Sequence, residues 1–300
     1  MTKKLRPLLA TEVKNLKDLK LPMLASVKLD GIYALIVDGV IYSRSFKPIK
    51  NKHVQKLFGN RDLNGLVGEL VCGDVYAEDV FRQTTTATMA EDGVNDVKLY
   101  VFDDWSVGDK PYQERYQHYQ RRIKALNHGS IIALEHNMLH TIDEVITALD
   151  KEQKRNGEGI ILRLPSAKWK NGRSTPKSQE SVKLKFFEQQ EYKIVDVVER
   201  MHNANEAKVN ELGYTERSSH KDNMIPMNTF GAFVMELQDG RNFNVGSGLG
   251  LTDAVRKEIW NNRDKYIGKI ATVRQMKVGS KNGIPRLPTF VGLRDKDDMS

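Results

Sequence analysis

Four times in this 300-residue chain, charge interrupts a segment that otherwise reads as a buried β-strand. The segments are 25–37, 66–71, 158–163 and 182–186, carrying in turn Lys28 with Asp30, Glu69, Glu158, and Lys183 with Lys185. Burying an ammonium or a carboxylate without a partner is costly, so these strands must face either water or a shared polar site. In Val182-Lys183-Leu184-Lys185-Phe186 alternation puts the two lysines on one face and the apolar residues on the other. Neighbouring lysines tolerate each other on a solvated face or around an anion. Lys168, Lys170, Arg173 and Lys177 in the preceding loop add to that cationic stretch. Glu69 beside Gly68 fits either an exposed position on an alternating strand or a close approach of ligand or backbone. Glu158, at the entrance of its strand, is a surface carboxylate or one that reaches a metal or a sugar hydroxyl. Lys28 in Lys28-Leu29-Asp30-Gly31 has two readings as well. It is an exposed lysine before an Asp-Gly turn, or a desolvated lysine near other cations, which is a nucleophile.

Composition narrows the classes. Hydrophobic residues make up 39% and charged residues 29%, as in a soluble globular protein of about two domains. The longest apolar run, residues 32–37, is far too short to span a membrane, and residues 1–7 lack the apolar stretch of a signal peptide. One cysteine, Cys72, excludes an internal disulfide framework and a multi-cysteine zinc site. The expectation is a soluble intracellular protein with no membrane partner. A net charge of +8 suits a polyanionic partner, nucleic acid above all.

The order of elements is α+β. Asp38-Gly39 predicts a hairpin between strands 32–37 and 40–43. Asn51 caps a helix to Leu57 that Gly59 closes. Segments 66–72 and 97–105 read as strands, and the aromatic residues of Leu99-Tyr100-Val101-Phe102 are either core or a stacking platform. Pro111 opens a helix to about Leu126 with Gly129 past its end, and Thr141-Ile142-Asp143-Glu144 is a capping box for a helix ending near Gly157. Strands follow at 160–164 and 182–186. After Phe187 come strands at 192–198, 229–237, 242–246 and 270–278, with one helix capped at Thr252. The run 286–296 is a further strand with cations at both ends, or a charged tail. That texture predicts a small barrel of the oligonucleotide-binding type, with domains at 1–187 and 188–300.

Lys-x-Asp-Gly, two isolated strand carboxylates, an aromatic strand and Lys-x-Lys occur in that order ahead of a small barrel. The pattern resembles the covalent nucleotidyltransferases, the superfamily of polynucleotide ligases and capping enzymes. Within it the chain is similar, over nearly its whole length, to the minimal ATP-dependent DNA ligases of Chlorella viruses and phages. Accessory matches are Pro7-Leu8-Leu9-Ala10, Ser43-Arg44-Ser45-Phe46-Lys47-Pro48-Ile49, Gly172-Arg173-Ser174-Thr175, Gly213-Tyr214 with Arg217-Ser218-Ser219-His220-Lys221, and Tyr266-Ile267-Gly268-Lys269.

The resemblance implies a nucleotidyltransferase (ATP-grasp-like) domain followed by an OB-fold barrel. Its activity would be sealing of 3′-hydroxyl/5′-phosphate nicks in duplex DNA, by a monomer that forms a lysyl-AMP intermediate from ATP and Mg²⁺, or Mn²⁺ in its place. It implies Lys28 as nucleophile, Glu69 at the ribose, Phe102 stacked on adenine, and Glu158 at a catalytic metal or the reacting phosphates. Lys183 and Lys185 would contact the α-phosphate, Asp30 would lie near the 3′-hydroxyl, and Arg286 would orient pyrophosphate. Arg44, Arg173, Arg217 and Lys221 would bind nucleic acid, Arg44 at the 5′-phosphate. The segment 201–228 resembles a DNA-wrapping hairpin insertion. The compartment would be the host cytoplasm or nucleus if the source is viral. Two departures stand out: Tyr33 where the family has arginine, and Val67-Gly68-Glu69 where it often has Asp-Gly-Glu. The rival readings are an RNA ligase or capping-type enzyme, and a non-catalytic nucleic-acid-binding homologue.

Overall fold

The computed structural model describes residues 5–281 and 283–294, with the backbone alone for 277–281. The ends of the chain and the last residues of the run 286–296, Asp295 and Lys296, lie outside that description. Contacts divide the chain after Phe186 into two units.

The first unit holds two main sheets. A five-stranded sheet runs in the order Val40–Ser43, Ile32–Val37, Leu66–Cys72, Val97–Asp104, Ile131–Ala133. A four-stranded sheet runs Ser181–Lys185, Gly159–Arg163, Met23–Val27, Asn137–Leu139. Each buries one face in its own core. Ile36, Phe58, Leu70 and Tyr119 fill the first core, and Met23, Val145, Leu162 and Val182 the second. The local signals act as chemistry requires. Asp38 and Gly39 take φ of 51° and 79°, the twist that closes a two-residue hairpin. The Asn51 side chain accepts from the Val54 N–H at 2.9 Å to start helix Lys52–Phe58. Thr141 does the same for helix Ile142–Lys154, and the Glu144 carboxylate in turn accepts from the His140 N–H at 2.6 Å.

Helix Tyr112–Leu126 ends where expected, with Asn127 at φ 45° supplying the left-handed cap ahead of Gly129. One further element was not expected. Residues Val80–Met89 form a helix in spite of four threonines. Thr84 and Thr88 are fully buried there. The Thr84 hydroxyl accepts the Cys72 N–H at 2.9 Å, and the Thr88 hydroxyl donates to the Thr84 carbonyl at 2.8 Å. Tertiary packing and satisfied hydroxyls override the weak propensity.

Glycine is required at two places that matter for the site. A Cβ on Gly31 would lie 2.2 Å from the Leu70 carbonyl oxygen, so the turn after Lys28 closes onto strand Leu66–Cys72 only with glycine. Gly159 has φ of 140°, and a Cβ there would meet the Leu184 carbonyl at 2.0 Å. That contact lets the strand begin against Ser181–Lys185 immediately after Glu158.

The second unit is a five-stranded antiparallel sheet in the order Asn242–Val245, Met224–Glu236, Phe187–Asn203, Ile270–Lys281, Ile284–Leu293. A bridge between Gly248 and Phe290 draws its two edges together into a barrel. Ile194, Phe230, Phe233, Val245 and Val273 fill the interior, with helix Asp253–Asn261 packed by Ile259. Phe187 pairs with Met276 and so belongs to this unit. A small hairpin, Ala207–Val209 with Thr215–Arg217, extends between the two longest strands. No described helix is long and apolar enough to cross a membrane.

Candidate active site

Strand register assembles the pocket. On the five-stranded sheet Tyr33 pairs with Glu69 and Glu69 with Tyr100, so these side chains share a face with Phe102, two residues beyond Tyr100. On the four-stranded sheet Ser26 pairs with Ile161 and Ile161 with Lys183, while Arg163 pairs with Ser181. These two faces line one pocket, with Phe102 on one wall and Ile161 on the other. Its lining includes six cations, Lys28, Arg44, Arg163, Arg173, Lys183 and Lys185, against one carboxylate, Glu69. Such a balance calls for an anionic ligand.

Lys28 leaves the end of strand Met23–Val27, its N–H bonded to the Gly159 carbonyl at 2.9 Å. Its ammonium donates to Glu158 Oε2, and Lys185 Nζ lies 2.7 Å from Glu158 Oε1. Only 2% of the Glu158 side chain is exposed, so one buried carboxylate holds two ammonium groups at the pocket rim. Burial raises the Glu158 carboxyl, but Lys28 and Lys185 outweigh it and hold the group below the ordinary carboxylate range. Burial pushes the Lys185 ammonium down, Glu158 opposes this, and the charges of Lys28 and Lys183 add to the fall. Lys183 Nζ sits 3.1 Å from Glu12 Oε1.

Glu69 is the opposite case. Burial pushes its carboxyl up to about 8, Lys28 pulls it back, and the charges of Glu158 and Asp30 raise it further. Near neutral pH it carries a proton, and can both donate to and accept from a hydroxyl.

Phe102 is braced from behind. The Tyr112 hydroxyl donates to its carbonyl at 2.7 Å, and the Arg163 guanidinium lies 4.8 Å from its ring centre. Arg163 is tethered to Asp103 at 3.4 Å, and Asp103 in turn accepts two bonds from Arg115, at 2.7 and 3.1 Å. Tyr33 leans on Phe102 with ring centres 5.8 Å apart. Its hydroxyl is buried with no hydrogen-bond partner, and burial drives its ionisation far above the ordinary range. At the position where the family has arginine, Tyr33 thus brings no charge to the pocket. Arg44 supplies a cation on the same pocket from the exposed turn after Val40–Ser43.

No three His, Cys, Asp or Glu side chains among the described residues converge as a metal cage, and both Glu158 oxygens face ammonium groups. That donor set fits only an ion that arrives with its own phosphate and water ligands, as magnesium commonly does.

The structure thus brings together Lys28, Arg44, Glu69, Phe102, Arg173, Lys183 and Lys185, with Glu158 joined to them through its two lysines. Asp30 is not part of the lining, though its charge acts on Glu69. Arg173 donates to the Ala10 carbonyl at 2.8 Å. Arg217, Lys221 and Arg286 lie in the second unit. Arg217 donates to the Asn205 carbonyl, Lys221 is exposed, and Arg286 is half-buried on strand Ile284–Leu293 opposite Met276. Ile161, Arg163 and Ser26 were not expected in the site. Strand alternation carried the signal for the first two, since Ile160 and Leu162, which alternate with them, are core.

Residues 7–185 match the family model described as the ATP dependent DNA ligase domain, and residues 226–294 that of the DNA ligase OB-like domain. The first unit is accordingly a nucleotidyltransferase domain and the second an OB-like domain. The chain belongs to the ATP-dependent DNA ligase family. Among solved structures it is similar to the Chlorella virus DNA ligase-adenylate, at 28% identity over 98% of this chain and 99% of that one, with a TM-score of 0.55. A minimal Lig E DNA ligase shares its fold at 20% identity, covering 98% of this chain and 100% of that one, with a TM-score of 0.69. No curated protein matches the chain.

Proposed function

We propose that this ATP-dependent DNA ligase seals 3′-hydroxyl/5′-phosphate nicks in duplex DNA as a monomer, with Lys28 as its nucleophile. The observation that carries the reading is the sharing of Glu158 between Lys28 and Lys185, beside Lys183 in one cationic pocket. Once its ammonium has released a proton to solvent, Lys28 Nζ attacks the α-phosphorus of ATP, the bond from that phosphorus to the bridging β-phosphate oxygen breaks, and pyrophosphate leaves with that electron pair. The phosphoramidate to AMP divides one hard substitution into easier ones. The nick's 5′-phosphate oxygen then displaces Lys28 from the adenylate. Last, the 3′-hydroxyl attacks the activated 5′-phosphorus and AMP departs.

Within this scheme Phe102 and Ile161 clasp the adenine, and Glu69 binds the ribose hydroxyls. Lys183 and Lys185 neutralise charge on the phosphate oxygens, which is where such sites obtain most of their acceleration. Arg44 holds the 5′-phosphate and Asp30 attends the 3′-hydroxyl. Arg173, Arg217 and Lys221 contact the DNA backbone, and Arg286 orients pyrophosphate. Magnesium, when bound, offsets phosphate charge; Glu158 would be its protein ligand.

Incubation with α-labelled ATP and magnesium should label the protein, and nicked duplex DNA should then discharge the label into a sealed strand. Lys28→Ala should lower the adduct by about a thousandfold or more, as loss of a covalent nucleophile does. An adduct of undiminished yield would rule Lys28 out. Preferential discharge on nicked RNA would move the enzyme to the RNA ligases.

A further inference from the structure

The N-terminal segment is stitched to the strand that carries Lys183 and Lys185. The Thr11 N–H donates to the Ser181 carbonyl at 3.0 Å, and the Lys183 N–H donates to the Thr11 carbonyl at 2.8 Å. Thr11 itself is buried, bridged in parallel to Val182. The backbone of Glu12 is thereby held beside Lys183, and the carboxylate closes on the ammonium at 3.1 Å. The Glu12 side chain is nonetheless 57% exposed. It can leave Lys183 by turning its own torsions, a nanosecond event that breaks none of those backbone bonds. Glu158 differs on each count: it is buried and grips two cations.

We propose that Glu12 is a displaceable counter-anion of the nucleotide site. Its carboxylate holds, on Lys183, the position that a phosphate of the nucleotide takes, so that the two compete for one ammonium. Arrival of ATP expels Glu12 into solvent. When AMP has been passed on and is to leave, Glu12 returns to Lys183 and lowers the affinity for the departing nucleotide. Glu12 therefore weakens binding in exchange for turnover. The inference rests on Lys183 binding nucleotide phosphate, and it deepens that reading.

Equilibrium binding of AMP and of α,β-methylene ATP, which cannot adenylate the lysine, tests it. Glu12→Gln, nearly equal in size, should tighten both by about two- to fivefold, the span of a part-exposed ion pair. The gain should shrink as salt is raised. In a Lys183→Met background the same substitution should change neither affinity, because the shared ammonium is gone. Unchanged affinities in Glu12→Gln, with the wild-type adduct intact, would overturn the role of Glu12 alone. Weaker binding would overturn it too, since it would make Glu12 a holder of nucleotide or metal. Failure of the wild type to form any adduct with ATP would instead strike the proposed reaction.

Discussion

Two clusters in the first unit have the same charge formula and opposite character. In one, Glu158 lies between Lys28 and Lys185; in the other, Asp103 lies between Arg115 and Arg163. The arginine cluster is sealed. Arg115 is 1% exposed, its fork grips Asp103 with two bonds, and its remaining donors reach the carbonyls of Lys110 at 2.7 Å and Ala167 at 2.9 Å. The lysine cluster stays open, with Lys28 and Lys185 at 18% and 12% exposure on a pocket rim. Guanidinium keeps its charge and its fork geometry, so it suits a permanent brace; an ammonium on a flexible stem can change partners and shed a proton. Taken by themselves, both triads carry a net charge of +1. In the lysine triad a ligand can supply the missing anion, and in the arginine triad the Phe102 and Tyr112 ring faces, at 4.8 and 5.0 Å from Arg163, take that place.

Exchanging the insults should separate the two most strongly. Lys185→Ala should slow adduct formation by about a hundredfold, the usual cost of one electrostatic contact in a preorganised site, and lower the melting temperature by only a few degrees, because Lys28 still neutralises Glu158. Arg115→Met should do the reverse. Stripping Asp103 of its main partner should cost about 3–5 kcal/mol, or a fall in Tm of about 10 °C, while the protein that remains folded still forms adduct. Equal losses of Tm in the two variants would break the distinction between brace and chemistry.

Much of this arrangement was legible because local rules produced it. The Asp38-Gly39 hairpin, the Asn51 and Thr141 caps and the Lys183/Lys185 face follow from turn chemistry, capping and alternation, each confined to a few residues. The pairing of Lys28 with Glu158 was not legible, since 130 positions separate them and only the pairing of two strands far apart in the chain, Met23–Val27 and Gly159–Arg163, joins them. Helix Val80–Met89 was hidden for a related reason, because the buried Thr84 hydroxyl is satisfied by the Cys72 N–H, a partner in place only once the sheet is formed. Arg163 illustrates the limit best. Its sequence setting, Ile160-Ile161-Leu162-Arg163-Leu164, marks a strand end, yet its partners Asp103, Phe102 and Tyr112 lie far off in the chain.

Glu69 tests the comparison from the side of the carboxylates, with the smallest expected effect. Glu158 has two cations and is held below the ordinary range; Glu69, on the pocket those two lysines line, is dominated by burial and raised to about 8. With the nucleotide absent, both folded and unfolded chains bind this proton below about pH 4.5. Between there and about pH 8 the unfolded chain releases it and the folded chain keeps it, so the folded state binds more protons and stability falls as pH rises. Above that window the contribution is level. Glu69→Gln should remove the slope, so that its stability gains steadily on the wild type from about pH 4.5 to about pH 8. Denaturant unfolding of the two proteins across that range measures it. Parallel curves would mean that Glu69 is already ionised in the folded enzyme. The lysines would then neutralise both carboxylates, and partner number rather than burial would cease to distinguish Glu158 from Glu69.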